Sequence, residues 1–268
     1  MARETKSNGQ KDILDRFYTK DNIVDLCLKE LSLNNYDCII EPSAGNGSFS
    51  KKILNCIAYD IDPQDDSIQK QDWFLIDKKI FTQYKNILVI GNPPFGQQNK
   101  LAIAFFNESA KFANTIAFIL PRSFKKDSIK NRLDLNFTLR KEIDLSDCSF
   151  MLNGKNEYKV PCVFQIWDRN IIPRKKKRLK TTTELFDFTT KDNADFRIQR
   201  VGGNAGKASK ELNYSAESNY FIKNKSKYSI DELITIINNL KFPSIEFTVG
   251  PKSLSKGELI ATLEEELL

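Results

Sequence analysis

The residues with the clearest chemical purpose are Asn92, Pro93, Pro94 and Phe95, which directly follow the apolar run 86–90. The Asn92 side-chain oxygen and the Pro93 backbone carbonyl are two acceptors that can bind both hydrogens of an amine. Proline restricts the backbone, and so it fixes the direction of that carbonyl. Phe95 offers an aromatic face on which a flat heterocycle can stack. The segment therefore predicts a site that orients an exocyclic amine for attack on a methyl group.

Three further segments are placed to hold a cofactor that contains a nucleoside. Small residues in the turn Glu41–Gly47 let the backbone pass close under a ligand, and a helix predicted over Ser48–Leu54 would favour a carboxylate at its N-terminus. Asp60 ends the next apolar run and could accept hydrogen bonds from both ribose hydroxyls. In the segment Gln71–Phe74, Asp72 could accept a hydrogen bond from an adenine amine, with Trp73 or Phe74 against the ring.

The elements that must position these residues alternate between apolar runs and amphipathic stretches. Strands are predicted at Tyr36–Ile40, Cys56–Asp60, Asn86–Ile90, Thr115–Leu120 and Tyr158–Trp167, and helices at Asn22–Leu31, Leu101–Phe112 and Asp231–Leu240. Pro161 should put a bulge or an edge in the last strand, and Ser229 with Glu232 predicts a capping box for the last helix. The alternation indicates an α/β fold with a Rossmann-like sheet and helices on both faces. In such sheets ligands bind beyond the carboxyl ends of the strands, where the polar segments lie.

The composition narrows the chemistry further. The chain has 268 residues, no histidine, five cysteines and a formal net charge of +6. Without histidine there is no Ser-His or Cys-His nucleophile and no ordinary zinc site, so carboxylates, amides, backbone groups and a cofactor must do the work. The cysteines include no Cys-x-x-Cys pair and are predicted to be buried, reduced thiols. The sequence lacks a membrane span and a signal-peptide core, which predicts an intracellular, cytoplasmic protein without a membrane partner or a metal.

The order of these motifs carries a family resemblance. The segments "DRFYTK" (15–20), "EPSAGNGSF" (41–49) and "NPPF" (92–95), together with Asp60 and Asp72, resemble the motifs of class I adenine methyltransferases that use S-adenosylmethionine (SAM). The similarity is strongest to the DNA adenine-N6 type. It implies that SAM is the cofactor and that the acceptor is the N6 amine of an adenine flipped into the "NPPF" pocket.

The resemblance also implies roles for individual residues. Thr19 would hold the methionine carboxylate of SAM, although the family usually has proline at the position of Lys20, and Phe150 would be a second aromatic residue that sandwiches the target base with Phe95. The predicted cofactor-binding residues are Thr19, Glu41, Pro42, Ser43, Ala44, Gly45, Gly47, Asp60, Ile61, Asp72, Trp73 and Asn92. The predicted catalytic residues are Asn92, Pro93, Pro94 and Phe95.

The C-terminal third is more basic than the rest of the chain. Residues from Arg169 onward hold most of the net charge of +6, which suggests an anionic macromolecular partner. We predict contacts with a nucleic-acid backbone from six basic residues: Arg174, Lys175, Lys176, Lys177, Arg200 and Lys207. The backbone amides of the glycine-containing loop 200–210 could also meet phosphate. The segment 173–180 resembles a nuclear-import signal, which would direct the protein to the nucleus of a eukaryotic host.

The sequence thus predicts four regions: an N-terminal tail (1–14), a SAM-binding catalytic domain (15–168), a basic linker (169–180) and a target-recognition region (181–268). DNA is the favoured substrate. The same "NPPF" chemistry would also serve an RNA adenine methyltransferase, because single-stranded RNA needs no duplex opening. A protein glutamine methyltransferase and a catalytically silent nucleic-acid-binding subunit are the remaining alternatives.

Overall fold

The computed structural model describes residues 17–152, 156–248 and 250–268. The predicted tail 1–14, and Asp15 and Arg16 of the first motif, lie outside the described residues. The chain divides into two compact units: the first contains the chain up to Pro121 and Arg132–Lys175, and the second contains Arg122–Asn131 and Lys176–Leu268. The segment directly after the strand at Thr115–Pro121 therefore belongs to the second unit.

Strands and helices are numbered here in chain order. The strands are β1 Phe17–Tyr18, β2 Cys38–Glu41, β3 Ile57–Asp60, β4 Gln69–Lys70, β5 Ile87–Gly91, β6 Thr115–Pro121, β7 Phe137–Asp144, β8 Ser149–Leu152, β9 Asn156–Lys159, β10 Cys162–Arg169, β11 Phe186–Thr189, β12 Phe196–Gln199, β13 Ala208–Ser209 and β14 Asn219–Asn224. The α-helices are α1 Asp21–Leu28, α2 Lys100–Ser109, α3 Asp127–Lys130, α4 Ile230–Asn239 and α5 Lys256–Leu267.

The first unit is built on a seven-stranded sheet with the order β4-β3-β2-β5-β6-β10-β7. The first five of these strands pair in parallel, whereas β10 runs antiparallel to both of its neighbours, β6 and β7. Insertion of one antiparallel strand beside the last parallel strand gives the Rossmann-like sheet of class I methyltransferases. The α/β prediction is therefore confirmed.

Helices pack on both faces of this sheet. Side chains alternate along β5, so this buried strand presents apolar residues to both faces. Leu88 and Ile90 point to the face on which α1 packs through Ile23, Val24 and Cys27. On the opposite face α2 packs through Phe106, whose ring centroid lies 5.7 Å from that of Phe137 and 5.5 Å from that of Trp167. Burial of alternate residues on the two faces fixes the register of β5, and with it the position of the segment that follows.

Two local predictions were wrong. The helix expected over Ser48–Leu54 is a single 3-10 turn at Ser50–Lys52, after which the backbone of Ile53 is extended. The strand expected over Tyr158–Trp167 is two strands, β9 and β10, which belong to different sheets and are separated around Pro161. Proline has no amide hydrogen to donate to a ladder, and in place of the bulge or edge expected at Pro161 the chain leaves one sheet for the other.

A small antiparallel sheet with the order β1-β8-β9 completes the first unit. Its register aligns Phe17 with Leu152 and Tyr18 with Met151. This pairing joins the start of the described chain to a hairpin more than a hundred residues later. It is the only regular structure that holds β1, within the residues that the structure describes.

The second unit has its own core. Its antiparallel sheet has the order β11-β14-β12-β13 and packs with α4 and α5 around Ile198, Ile222, Leu233 and Leu259. The capping box predicted for α4 is confirmed, since the Ser229 side chain accepts from the backbone N–H of Glu232 and the Glu232 side chain accepts from that of Ser229. Helix α5 begins with a second capping box that the sequence interpretation missed.

Candidate active site

Asn92 directly follows β5, at the carboxyl end of the sheet, and its side-chain amide has a defined orientation. The Nδ2 group donates to the backbone oxygen of Phe17 at 3.0 Å and to the Oγ1 of Thr19 at 3.2 Å. A backbone carbonyl can only accept a hydrogen bond, so the atom that faces it must be the amide nitrogen. The Asn92 Oδ1 is consequently directed away from β1 and is available as an acceptor.

A pocket lies beside this amide. It is lined by Phe17, Asn92, Pro93 and Phe95. Phe95 is half-buried and packs partly against the core of the first unit, which limits the directions in which its ring can turn. The pocket therefore combines a directed amide oxygen with a proline backbone and is lined by two aromatic residues. Sequence interpretation identified three of these residues but missed Phe17, whose signal was the aromatic pair within "DRFYTK".

The carboxylate of Asp60 holds the turn after β2. Its Oδ2 accepts from the backbone N–H of Gly45 at 2.7 Å and its Oδ1 accepts from that of Asp62 at 2.8 Å. Gly45 has a φ of +55°, and a Cβ at this position would lie 2.9 Å from the Cε1 of Tyr18. Only glycine satisfies both the left-handed backbone and the close approach of the tyrosine ring. Tyr18 is thus a second residue of the site that sequence interpretation missed.

Glu41 is the buried acid at the end of β2, with 2% of its surface exposed. Its carboxylate accepts from the backbone N–H of Ser50 at 2.8 Å and from that of Phe49 at 3.4 Å. Burial raises the pKa of Glu41 to about 7, in spite of these hydrogen bonds, and nearby Asp60 adds to the increase. The side chain therefore shapes the turn, and its ionisation falls near neutral pH.

The turn between β2 and β3 fits the cofactor that the sequence predicts. The Oγ of Ser43 is buried and has no hydrogen-bond partner among the described residues, which is unusual for a buried hydroxyl and indicates space for a polar ligand. Asp60 at the end of β3 and the exposed Ile61 beside it are the groups that would hold a ribose and a flat base. Pro42, Ala44 and Gly47 lie in the same turn, between Glu41 and the 3-10 segment.

The aromatic residue expected beside an adenine ring is revised. Trp73 is 2% exposed and packs between Tyr59, Phe81 and Phe112, with centroid separations of 5.8–6.5 Å. Its neighbour Phe74 is 38% exposed instead. Asp72 uses its Oδ1 to accept from the backbone N–H of Phe74 at 2.9 Å, which fixes the start of a short 3-10 turn. Phe74, and not Trp73, is the aromatic side chain available to a ligand.

Phe150 is also revised. It lies on β8 and is 1% exposed, within the core cluster that includes Cys162 and Phe164. A ring enclosed by core side chains has no free face for a base. Phe17 is the other aromatic residue that lines the pocket, and the pairing of β1 with β8 brings it into position.

Two of the basic residues expected to contact a nucleic-acid backbone instead contact groups within their own units. Arg174 donates from Nε to the Phe137 oxygen at 2.9 Å and from Nη2 to the Leu133 oxygen at 3.0 Å. Arg200 is half-buried, with a buried Nε and with its guanidinium 5.3 Å from the centroid of Tyr220. Both predictions are revised, because these guanidinium groups are directed into their own units.

The four lysines of the predicted set are exposed, but two of them have partners. Lys177 pairs with Asp127 at 2.7 Å, and Lys207 donates to the backbone oxygen of Asn238 at 2.5 Å. Lys175 and Lys176 remain as the simplest candidates for phosphate contact.

The glycine-containing loop does not expose a row of amides. Three backbone N–H groups of the loop donate to backbone oxygens: Ala205 to Gly202 at 3.0 Å, Gly206 to Gln199 at 2.7 Å and Lys207 to Asn204 at 3.0 Å. Because these amides are satisfied within the loop, the expected phosphate contact from the loop backbone is revised.

The five cysteines are free, and all are buried or half-buried. Burial raises the pKa of the Cys38 thiol to about 11 and raises that of Cys27, Cys56 and Cys162 still further, which keeps these thiols protonated and unreactive. Among the described residues, no group of three or more metal-binding side chains is assembled. None of the described helices is long and apolar enough to cross a membrane.

Comparison with protein families gives a match over residues 17–173, which is more than half of the chain. The matching model is that of the EDM2 methyltransferase-like domain. The chain belongs to this family. The matched segment of the EDM2 methyltransferase-like domain begins with β1 and includes Thr19, the cofactor turn and Asn92. A search of curated protein sequences finds no match.

Solved structures with a similar chain path include three methyltransferase-related proteins. The 23S rRNA methyltransferase ErmE has 13% identity and a TM-score of 0.42, with 59% of this chain and 71% of that chain covered. A protein from Pyrococcus horikoshii assigned as an RNA methyltransferase has 16% identity and a TM-score of 0.40, with 59% and 88% covered. A modification subunit assigned to a type I restriction enzyme from Vibrio vulnificus YJ016 has 15% identity and a TM-score of 0.41, with 61% and 46% covered. All three TM-scores are below 0.5, so these likenesses do not bear on function.

Proposed function

We propose that this protein transfers the methyl group of SAM to the exocyclic N6 amine of adenine in a nucleic acid, with DNA as the first candidate substrate. In this proposal residues 15–168 form the catalytic domain, 169–180 form the basic linker and 181–268 recognise the target. The family and the Rossmann-like sheet support methyl transfer from SAM. The acceptor is inferred from the pocket beside Asn92.

The orientation of the Asn92 amide carries the proposal. Its nitrogen is engaged by Phe17 and Thr19, which leaves Oδ1 as an acceptor at the edge of a pocket that Phe95 also lines. A hydroxyl or a ring carbon would make limited use of two acceptors, whereas an amine can donate both of its hydrogens. Stacking of an adenine ring on Phe95 would add about 1–3 kcal/mol per base.

The residues of the pocket account for the steps that follow. SAM supplies an electrophilic methyl group on a sulfonium. Hydrogen bonds from the amine to Asn92 Oδ1 and to the Pro93 carbonyl favour tetrahedral geometry at nitrogen, which localises the lone pair that forms the new N–C bond. The sulfur–methyl bond breaks as that bond forms, and the sulfur keeps the electron pair. The methylated amine is cationic and releases one proton to solvent, so the residues need only orient the reactants.

Charge supports a nucleic acid as the carrier of this amine. The net charge of +6 lies mostly after Arg169. Lys175 and Lys176 are exposed, and contacts of such side chains with phosphates would release counterions and make binding sensitive to salt. DNA is preferred to RNA on the motif order of the first unit. Methylation of protein glutamine is disfavoured, because that substrate gives no role to the basic residues.

The test is an incubation with SAM that carries a labelled methyl group. Duplex DNA, single-stranded DNA, RNA and an unrelated protein extract are offered separately, and the labelled products are identified after digestion. We expect label in N6-methyladenine from at least one nucleic acid. Label confined to RNA would replace the DNA assignment, and label confined to protein would refute the nucleic-acid proposal.

Asn92→Ala is the matching variant, and Asn34→Ala is its control. Asn92→Ala removes the directed acceptor, and we expect turnover to fall about 100-fold or more while SAM binding persists, by analogy with the loss of one oriented hydrogen-bonding group in other active sites. Asn34 is exposed in the first unit, before β2 and therefore at the other end of the sheet. Normal turnover in Asn92→Ala would refute the role assigned to this residue.

A further inference from the structure

We propose that Thr19 is a positioning residue that acts through Asn92, and not the anchor of the cofactor carboxylate that the family resemblance implies. The inference rests on the proposed function, because it explains how the acceptor oxygen of that site is aimed. The inference concerns the hydrogen bond between the Thr19 and Asn92 side chains, both in the first unit. It predicts that loss of the Thr19 hydroxyl leaves SAM affinity nearly unchanged, whereas the family resemblance predicts that SAM affinity falls.

The contacts of Thr19 carry the argument. Its residue surface is only 6% exposed, and its Oγ1 lies 3.2 Å from the Nδ2 of Asn92. The Phe17 carbonyl lies 3.0 Å from the same nitrogen. The two amide hydrogens of Asn92 thus have one acceptor each, both supplied by the segment that contains β1. The Thr19 hydroxyl accepts from Asn92, and the low exposure of the residue leaves little surface through which its O–H could reach a carboxylate.

The orientation that results decides what the pocket can bind. If the Asn92 amide turned over, Nδ2 would face the pocket and would meet the hydrogens of an amine, donor against donor. Two acceptors behind the amide make that turned form costly, because the Asn92 oxygen would then face the Phe17 oxygen. The pair of bonds therefore keeps Oδ1 toward the substrate before the substrate arrives, which is the preorganisation that catalysis needs.

The segment Phe17–Lys20, which supplies both acceptors to Asn92, is itself held in place by contacts with the hairpin β8–β9. Residues Phe17 and Tyr18 pair with β8. The Lys20 Nζ donates to Ser149 Oγ at 2.8 Å and forms an ion pair with Glu157 on β9. Lys20 replaces the usual proline of the family, and in this chain it ties the end of β1 to the hairpin. Thr19 is thus fixed from both sides along the chain.

The test compares two substitutions at one position. Thr19→Val keeps the shape of the side chain but removes the acceptor, whereas Thr19→Ser keeps the acceptor. For Thr19→Val we expect kcat to fall about 10-fold or more, with the Kd for SAM and the KM for nucleic acid changed by less than about 2-fold, because the interaction that is removed acts on the reacting amine. For Thr19→Ser we expect kcat within about 3-fold of the unchanged protein.

A second readout does not depend on turnover. The side-chain NH₂ group of Asn92 gives two proton signals in an NMR spectrum of ¹⁵N-labelled protein. We expect Thr19→Val to move one of them toward the position of a proton without a hydrogen bond, and Thr19→Ser to leave both in place. This comparison holds even if no nucleic acid is methylated, so failure of the proposed function and failure of the positioning role are distinguishable.

Two results would overturn the inference. One is a loss of SAM affinity in Thr19→Val as large as that in Asp60→Ala, a variant that lacks the predicted ribose contact. That result would show that Thr19 binds the cofactor. The other is an unchanged pair of Asn92 proton signals in Thr19→Val, which would show that the hydroxyl does not engage the amide.

Discussion

Replacing Glu41 with glutamine should remove one pH dependence from the stability of the first unit. Glu41 is almost fully buried, and its carboxylate binds two backbone amides of the cofactor turn. Its pKa in the folded protein is raised to about 7 from an ordinary value of 4.5 by burial. The folded protein therefore keeps a proton on Glu41 that the unfolded chain has already released.

The sign and size of the effect follow from this difference. Between pH 4.5 and about pH 7 the folded state binds one proton more than the unfolded state at this position, so stability falls as pH rises. A difference of about 2.5 in pKa corresponds to about 3 kcal/mol at roughly 1.4 kcal/mol per unit. This contribution is fully present below the unfolded pKa and is lost above about pH 7. Glutamine does not ionise, so it has no such dependence, although its Nε2 cannot accept from the second backbone amide.

Tryptophan fluorescence during urea unfolding measures the effect selectively. The chain has two tryptophans, Trp73 and Trp167, and both are buried in the first unit. We expect the stability difference between Glu41→Gln and the unchanged protein to grow by about 2–4 kcal/mol from about pH 4.5 to about pH 8. The exposed Glu217→Gln removes the same charge from the second unit and should show no such growth. A Glu41→Gln difference that is independent of pH would refute the reasoning.

Two further predictions concern ligands. Asp60→Ala removes the acceptor of the Gly45 and Asp62 amides and the predicted ribose contact. We expect the Kd for SAM, measured by calorimetry, to rise about 10-fold or more, as for loss of a charged hydrogen-bonding partner. An unchanged affinity would contradict the ribose assignment. The double substitution Lys175→Gln and Lys176→Gln should reduce the slope of log K against log salt by about 0.9 for each duplex phosphate that these lysines neutralise, whereas the exposed Lys29→Gln directly after α1 should leave the slope unchanged.

The parts of the fold that local pattern decides could be predicted from the sequence. Buried parallel strands such as β5 are short apolar runs, and the residues that follow them necessarily lie at one edge of the sheet. Asn92 and Asp60 were found for that reason. The capping box at Ser229 was equally local, because its two partners are three residues apart.

The parts that depend on distant partners could not be predicted. The pairing of β1 with β8 places Phe17 in the pocket and Phe150 in the core, and no local signal in either segment specifies that pairing. The helix expected after Gly47 is only one 3-10 turn long, since the chain becomes extended at Ile53. Arg174 looked like part of a basic run, but backbone carbonyls of another segment bind its guanidinium.

The central claim is that the pocket beside Asn92 methylates an adenine amine. The most direct measurement is mass spectrometry of nucleosides from nucleic acid treated with the protein and SAM, compared between the unchanged protein, Asn34→Ala and Asn92→Ala. The account predicts N6-methyladenine with the first two proteins and its near absence with Asn92→Ala, while all three bind SAM equally. Methyl groups found on another base or another atom, or N6-methyladenine formed at the normal rate by Asn92→Ala, would contradict it.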